Sequence, residues 1–323
     1  MRMVSFLSTA LIGLASASAT AQPSTAPYPS RMVTLVVPFS PGGASDNMGR
    51  IFAQALSEIW KVPVIVENRP GASGTIGGEY VRRAAPDGHT LLVAGPATLT
   101  ILAAVNPKIP YDPVKDFAHA TIAVSYPYVL TANSSVAKSL PELLATLKRE
   151  PGKYTYASSG VGTTSYFTAE LFKSMASVDI MNVPYQGVGP GLNAVMAGHV
   201  SMLFAPVNEI GAALRSGRLT ALGVTSPTRI ADLPNVPAVA EYVNGYVAES
   251  WIGLLAPAGT PPAVLENISV GLRKALKLPE IEKKLKELSL TPIGSSPEET
   301  HKEIAADAQR WKTLAQQMGI KSQ

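Results

Sequence analysis

Val33-Thr34-Leu35-Val36-Val37-Pro38-Phe39-Ser40-Pro41-Gly42-Gly43-Ala44-Ser45-Asp46-Asn47 is the stretch on which the reading of the chain turns. Its first five residues are mostly β-branched and predict a buried strand. Beyond it, Met48, Ile51, Phe52, Ala55, Leu56 and Ile59 fall on the i, i+3, i+4, i+7 stripe of an amphipathic helix. The segment between is a strand-to-helix turn, with Ser45 or Asp46 placed to cap the helix. Such a turn offers free backbone N–H groups and the positive end of a helix dipole, about half a charge. Gly42 and Gly43 allow φ > 0 and a close approach of backbone to a ligand. A small anion fits this turn; a glycine turn packed into a βα unit without a ligand is the alternative.

Further along, Val64–Asn68 reads as a strand ending in a glycine-rich turn over 71–78, and Thr90–Gly95 as another. Strands alternating with helical stripes predict an α/β fold with a mainly parallel sheet. Ala120–Thr131 is a long extended run interrupted only by Pro127, long enough to leave one domain and enter a second. Past it, Lys153–Ser158 is a strand, Ser159-Gly160-Val161-Gly162-Thr163-Thr164-Ser165 a glycine and hydroxyl turn, and Tyr166 to Met175 a helix. The opening arrangement thus occurs twice, on either side of the crossing. Two helix N-termini facing each other across a cleft can hold a small anion between domains. Tyr185 and Trp251 are candidates to line that cleft, with packing the preferred role for Trp251. In the tail, Thr260-Pro261 reads as a cap with proline at N1, and Ser296-Pro297-Glu298-Glu299 as a capping box. These helices are expected to pack on the first domain.

The composition narrows the function classes. The chain has 323 residues, 46% hydrophobic and 15% charged, enough for two folded domains. A net charge of +4 without any block of like charges, despite a pI near 9.1, gives no nucleic-acid footprint. Arg2, the apolar Val4–Ala17 run and Ala19-Thr20-Ala21 before Gln22 predict a signal peptide over 1–21, with Ala17-Ser18-Ala19 a competing site. There is no cysteine, which excludes disulfides, thiolate metal sites, cysteine nucleophiles and a lipid-modified cysteine. The mature chain is expected free in an extracytoplasmic compartment.

The four histidines, His89, His119, His199 and His301, have no metal-binding spacing and no neighbouring candidate serine. No G-x-S-x-G elbow and no phosphate-loop lysine motif occurs. No metal, no cofactor and no enzymatic activity is expected. A serine hydrolase using Ser40 or Ser159 is the competing enzymatic reading, since triads assemble in space. An effector-binding domain of a regulator would need a helix-turn-helix where the export signal stands.

Several short strings then recur in a familiar order: Val37-Pro38-Phe39-x-Pro41-Gly42-Gly43-x-x-Asp46, Val66-Glu67-Asn68-Arg69-Pro70-Gly71-Ala72, Pro86-Asp87-Gly88-x-Thr90-Leu91-Leu92, Pro110-Tyr111-Asp112-Pro113-x-x-Asp116-Phe117, Val183-Pro184-Tyr185-x-Gly187 and Ala256-Pro257-Ala258-Gly259-Thr260-Pro261. Together they closely resemble the Bug family, the TctC-like periplasmic receptors of tripartite tricarboxylate transporters, over nearly the whole mature chain. The resemblance implies a two-domain Venus-flytrap fold in the periplasm, each domain a mainly parallel sheet flanked by helices. We expect domain 1 over 28–124 plus 246–323 and domain 2 over 125–245. It implies a small organic acid, or a related amino acid or amide, in the interdomain cleft, held partly through bridging waters. Carried onto this chain, the ligand-binding residues are Phe39, Ser40, Gly42, Gly43, Ala44 and Asp46 from the first loop and Ser159, Gly160, Gly162, Thr163 and Thr164 from the second. The family's pattern usually has histidine at Tyr166, lysine at Gln186 and often aspartate at Ala205, so these positions bear on which ligand is accepted. Asp46 would repel a bound anion, and is expected either to cap the helix or to meet a ligand ammonium. The implied partner is a membrane permease, or alternatively a sensor kinase of a two-component system, with the receptor itself a monomer.

Overall fold

The computed structural model describes residues 28–106, 108–160 and 162–319; the expected signal peptide lies outside them. In chain order the first elements are β1 (Val33–Val37), α1 (Ala44–Trp60), β2 (Val64–Asn68), α2 (Thr75–Arg82), β3 (Thr90–Ala94), α3 (Thr100–Val105) and β4 (Phe117–Ala132). Next come α4 (Leu140–Arg149), β5 (Tyr154–Ser158), α5 (Thr164–Ala176), β6 (Ile180–Pro184), α6 (Val188–Met196), β7 (Met202–Pro206), α7 (Val207–Arg215) and β8 (Thr220–Val224). The chain returns through β9 (Glu249–Pro257) and continues as α8 (Pro262–Ala275), α9 (Pro279–Glu287), β10 (Thr291–Pro292) and α10 (Pro297–Gln317).

The strands run in the order β2-β1-β3-β9-β4-β7-β5-β6, with β8 and β10 also on β4. Both outer parts are parallel, β2-β1-β3 on one side and β6-β5-β7 on the other. The centre is antiparallel, because β9 runs against β3 and β4, and β4 against β7 and β8. In β1, Val33, Leu35, Val36 and Val37 are all fully buried, which is why the run is apolar apart from Thr34 instead of alternating. Each such side chain contributes roughly 1.5–3 kcal/mol of burial. The glycines after β2 let α2 close on the first turn: a Cβ on Gly77 would come within 2.9 Å of the Pro38 backbone.

β4 is the shared strand. From Phe117 to Pro127 it pairs with β9, and from Tyr128 to Ala132 with β7 and β8. Pro127 has no N–H to give, and it stands where the partners change. The Tyr128 N–H donates to the Thr225 hydroxyl at 2.8 Å, and that hydroxyl donates to the Ala248 carbonyl at 2.7 Å. A buried threonine therefore completes the bonding where the ladder is interrupted.

Two expectations for the tail need correcting. The Thr260 hydroxyl donates to the Pro257 carbonyl, and α8 begins at Pro262, one residue later than expected. α10 packs beyond the first sheet region: Trp311 is fully buried and meets Phe167 of α5 edge-on, 5.6 Å between ring centroids. Trp311, Leu314 and Ala315 thereby join the core built on Leu130, Tyr156 and Phe172. The Ser296 capping box forms as read, with Ser296 Oγ accepting from the Glu299 N–H and the Glu299 carboxylate from the Ser296 N–H. No helix among the described residues is long and apolar enough to cross a membrane.

Candidate functional site

The first turn leaves β1 and enters α1 through exposed residues, Ser40 to Ala44. Gly42 has φ +91°, the left-handed region in which a side chain is strained, and nothing stands within 4 Å of where its Cβ would be. Gly43 is the N-cap residue and has no side chain to bond the helix, so neither Ser45 nor Asp46 is the cap. Asp46 serves the turn from one turn-position inside α1. Its Oδ2 accepts from the Gly42 N–H at 2.9 Å and Arg50 Nε at 3.0 Å, and its Oδ1 from Asn68 Nδ2 at 2.8 Å. Asn68 also donates to the Phe39 carbonyl at 3.0 Å, tying the end of β2 to the turn. Burial works to raise the Asp46 carboxyl pKa, but the bonds from Arg50, Gly42 and Asn68 outweigh it and hold it at about 2. Asp46 is thus an anion locked into the loop's own framework, and α1's first N–H groups are left to an outside acceptor.

The second turn is bonded to itself. Thr163 caps α5, its hydroxyl accepting from the Tyr166 N–H and donating to the Gly160 carbonyl. The Ser159 N–H donates to Ser165 Oγ at 3.0 Å and the Gly160 N–H to Ser158 Oγ at 3.3 Å. Thr164 is buried on the Tyr128 side of the turn and moderates the raised pKa of the Tyr128 hydroxyl.

Tyr128 brings in two residues that sequence reasoning missed. It stacks on Tyr126, 6.2 Å between ring centroids, both on β4 where the strand changes partners. Tyr126 in turn lines a cavity of ≈ 80 Å³ with Ala44 and Asn47 of α1 and Pro206, Asn208 and Glu209 at the β7–α7 junction. The two tyrosines therefore connect Thr164 of the second loop with Ala44 of the first. Burial raises both hydroxyl pKa values, and Glu209 adds to each shift. Glu209 is open to solvent on one side, yet desolvation of its carboxyl by the surrounding protein raises its own pKa.

The other expected residues are spread around this arrangement. Tyr166 is half-buried against Phe167 and Tyr156, and its hydroxyl pKa is raised by burial and by Glu170. Tyr185 packs on the cluster of Val129, Ala157 and Val195, and Ala205 is fully buried within it. Pro206, the next residue, lines the cavity instead. Gln186 is exposed. Trp251 is buried among Ile122, Leu255 and Ile304, in agreement with the packing role. A larger cavity of ≈ 470 Å³ lies between β4, β9 and α10 and touches neither loop, so its size does not make it the site. His119 and His301 meet at 3.0 Å through their Nδ1 atoms, and His119 Nε2 lies 2.9 Å from the Pro113 carbonyl. Among the described residues no group of three or more metal-ligating side chains gathers.

Residues 48–320 match the model of the tripartite tricarboxylate transporter family receptor, TctC. The chain is 32% identical to protein BugT of Bordetella pertussis, over 99% of each chain. Among solved structures it is similar to the periplasmic binding protein BugD, at 28% identity and TM-score 0.74 over 92% of this chain and 100% of that one. It is also similar to Rpa4515 of R. palustris with adipate, at 32% identity and TM-score 0.75 over 90% and 98%. The chain belongs to the TctC, or Bug, family of periplasmic solute-binding receptors, with the two-domain binding-protein fold and no enzymatic role.

Proposed function

We propose that this receptor captures a small organic carboxylate between two lobes and presents it to the membrane subunits of a tripartite tricarboxylate-type transporter. The lobes comprise 28–124 with 246–323, and 125–245, joined where β4 passes from β9 to β7 and β8, with the end of α10 crossing to pack Trp311 on Phe167 of the second. The carboxylate takes the free N–H groups at the start of α1, and the second loop approaches it by way of Thr164, Tyr128 and Tyr126. Charge-assisted bonds from backbone donors are about twice as strong as neutral ones, so no arginine is needed. A ligand that touches both lobes couples binding to closure. The protein is exported, works in the periplasm as a monomer, and uses bridging waters to fit ligands of different length.

The observation that supports this reading is the pairing of two glycine turns, each ending a parallel strand and opening a helix, linked by the stacked tyrosines beside a cavity that residues from both sides of β4 line. Adipate in the similar Rpa4515 supports the carboxylate class. A thermal-shift panel of carboxylates, amino acids and amides on the mature chain tests it, after partial unfolding to strip any carried-over ligand. A ligand at about 100 times its dissociation constant should add roughly 2.7 kcal/mol of stability. No shift with any small acid or amide would overturn the reading.

A further inference from the structure

We propose that His119 and His301 form an acid-released clasp, in which one ring proton held between their Nδ1 atoms fastens α10 to β4 until both imidazoles are charged. The two Nδ1 atoms lie 3.0 Å apart, and His119 Nε2 lies 2.9 Å from the Pro113 carbonyl. A carbonyl oxygen only accepts, so His119 Nε2 carries a hydrogen and a neutral His119 has a bare Nδ1. The hydrogen between the rings therefore belongs to His301 Nδ1, and both tautomers are fixed. His119 is 3% exposed on β4, whereas His301 is exposed on α10, and its Nε2 has no protein partner among the described residues.

The pair takes its two protons differently. A first proton on His301 Nε2 leaves the Nδ1–H in place and makes the bond between the rings charge-assisted. A second can go only to His119 Nδ1, the accepting atom. Two N–H groups, each on a cation, then oppose each other at bonding distance. The exposed His301 ring swings out to water, and the link between β4 and α10 is lost. Burial and His301 both lower the His119 pKa, which keeps this second step below neutral pH.

The charged groups on the surrounding elements are engaged elsewhere. Before β4, Asp112 and Asp116 accept N–H groups of their own turn, and Lys115 lies 3.8 Å from Asp112. On α10, Lys302 pairs with Glu298, Glu299 accepts from the Ser296 N–H, and Glu303 lines the cavity beside Trp251. Arg82 of α2 pairs with Glu79, and Arg273 of α8 donates to the Gly294 carbonyl. The β9 residue opposite His119 is Leu255, and α3 has no charged residue. None of these groups contributes to the His119 shift. What the clasp controls is α10 itself. Ile304 belongs to the core of Val36, Leu92 and Trp251, and Trp311 to that of Leu130 and Phe172. His301 thus stands at the root of the helix that ties two cores together, and the second proton loosens that tie.

Nitrogen-15 NMR of the histidine rings in the mature chain tests the assignment, together with amide hydrogen exchange on the native protein and on His301→Ala. At pH 7.5 His301 should show the Nδ1–H tautomer, the minor form of free histidine, and its ring proton should couple to both Nδ1 nuclei. Between pH 7.5 and pH 4.5 that coupling should vanish. Exchange in the first turns of α10, corrected for the intrinsic pH effect, should rise about tenfold or more over the same interval. His301→Ala, at an exposed position, should keep the fold and exchange fast in those turns at both pH values. An Nε2–H tautomer at His301 in neutral solution would overturn the clasp. So would exchange in α10 that does not rise with acid, or an acid response as large in His301→Ala as in the native chain.

Discussion

An Asp46→Asn substitution keeps the size of a side chain that is 2% exposed and removes its charge. The carboxylate accepts three bonds on its two oxygens, from Gly42, Arg50 and Asn68. An amide has one acceptor oxygen, so its NH2 group must meet either the Asn68 amide or the Gly42 and Arg50 donors. A hydrogen bond to a charged group contributes about 1.5–3 kcal/mol, and an orphaned buried donor costs about 1–3 kcal/mol. Arg50 is 56% exposed and recovers water, so its own share is small. The expected loss at pH 7 is about 2–3 kcal/mol. The pH dependence follows from the carboxyl pKa, lowered from 3.8 to about 2 in the fold. Because the folded value is depressed, the stabilisation is complete above the unfolded value and is lost as pH falls through the folded one. Linkage over that interval gives roughly 2 kcal/mol, and screening around the exposed Arg50 reduces it to about 1 kcal/mol. Urea unfolding of both proteins from pH 7 to pH 2 should therefore show a gap that narrows by about 1 kcal/mol at the acid end. A gap below about 0.5 kcal/mol at pH 7, or one independent of pH, would refute the reasoning. Unchanged stability with altered ligand affinity would make Asp46 the partner of a ligand ammonium instead.

The two glycines of the first turn should separate folding from binding. Gly42→Ala forces a side chain into φ +91° and should cost about 1–2 kcal/mol of stability by thermal or urea melts. Gly43→Ala, at φ −80° with its nearest neighbour 3.9 Å from the new Cβ, should change stability by under about 1 kcal/mol yet weaken carboxylate binding at least about tenfold by titration; equal loss of both would make the loop structural only. Burial, and secondarily His301, lower the His119 pKa against the support of the Pro113 carbonyl. A base that is harder to protonate in the fold than in the unfolded chain stabilises fully above its unfolded pKa of 6.5 and loses that contribution as pH falls below it. Melts between pH 7.5 and pH 5 should show this decline, and His119→Gln should flatten it; an equally steep decline in the variant would assign it elsewhere.

The local features of this chain were readable because local residues specify them. Each turn is announced by apolar residues before it, glycine within it and a helical stripe after it, and Ser296 to Glu299 form their box from four consecutive positions. What escaped the sequence is what distant segments make together. Asp46 reads as a cap until Asn68, from the neighbouring strand, is seen to complete its bonding and Gly43 to occupy the N-cap position. Tyr126 and Tyr128 carry no motif, and their stacking depends on where β4 changes partners. α7 follows β7 without a break, so no turn residue announces it, although Ile210, Ala213 and Leu214 hold a helical spacing that would have exposed it and brought Glu209 into view. Ala205 illustrates a different limit: the family pattern marks the position, but its side chain here is packed against Val129 and Ala157.

The contact of Trp311 in α10 with Phe167 in α5 has a consequence for the order in which the protein can be completed. Phe167 is made early, but Trp311, which meets it edge-on, belongs to the last helix, with Leu314 and Ala315 in the same core. Until that helix is made, Phe167 lacks this aromatic partner. Contacts this far apart in sequence close late and slowly, and an unfinished apolar surface is what chaperones bind. The core of the central segment is therefore complete only once the tail has joined it. Its completion waits for residues synthesised about 140 positions later.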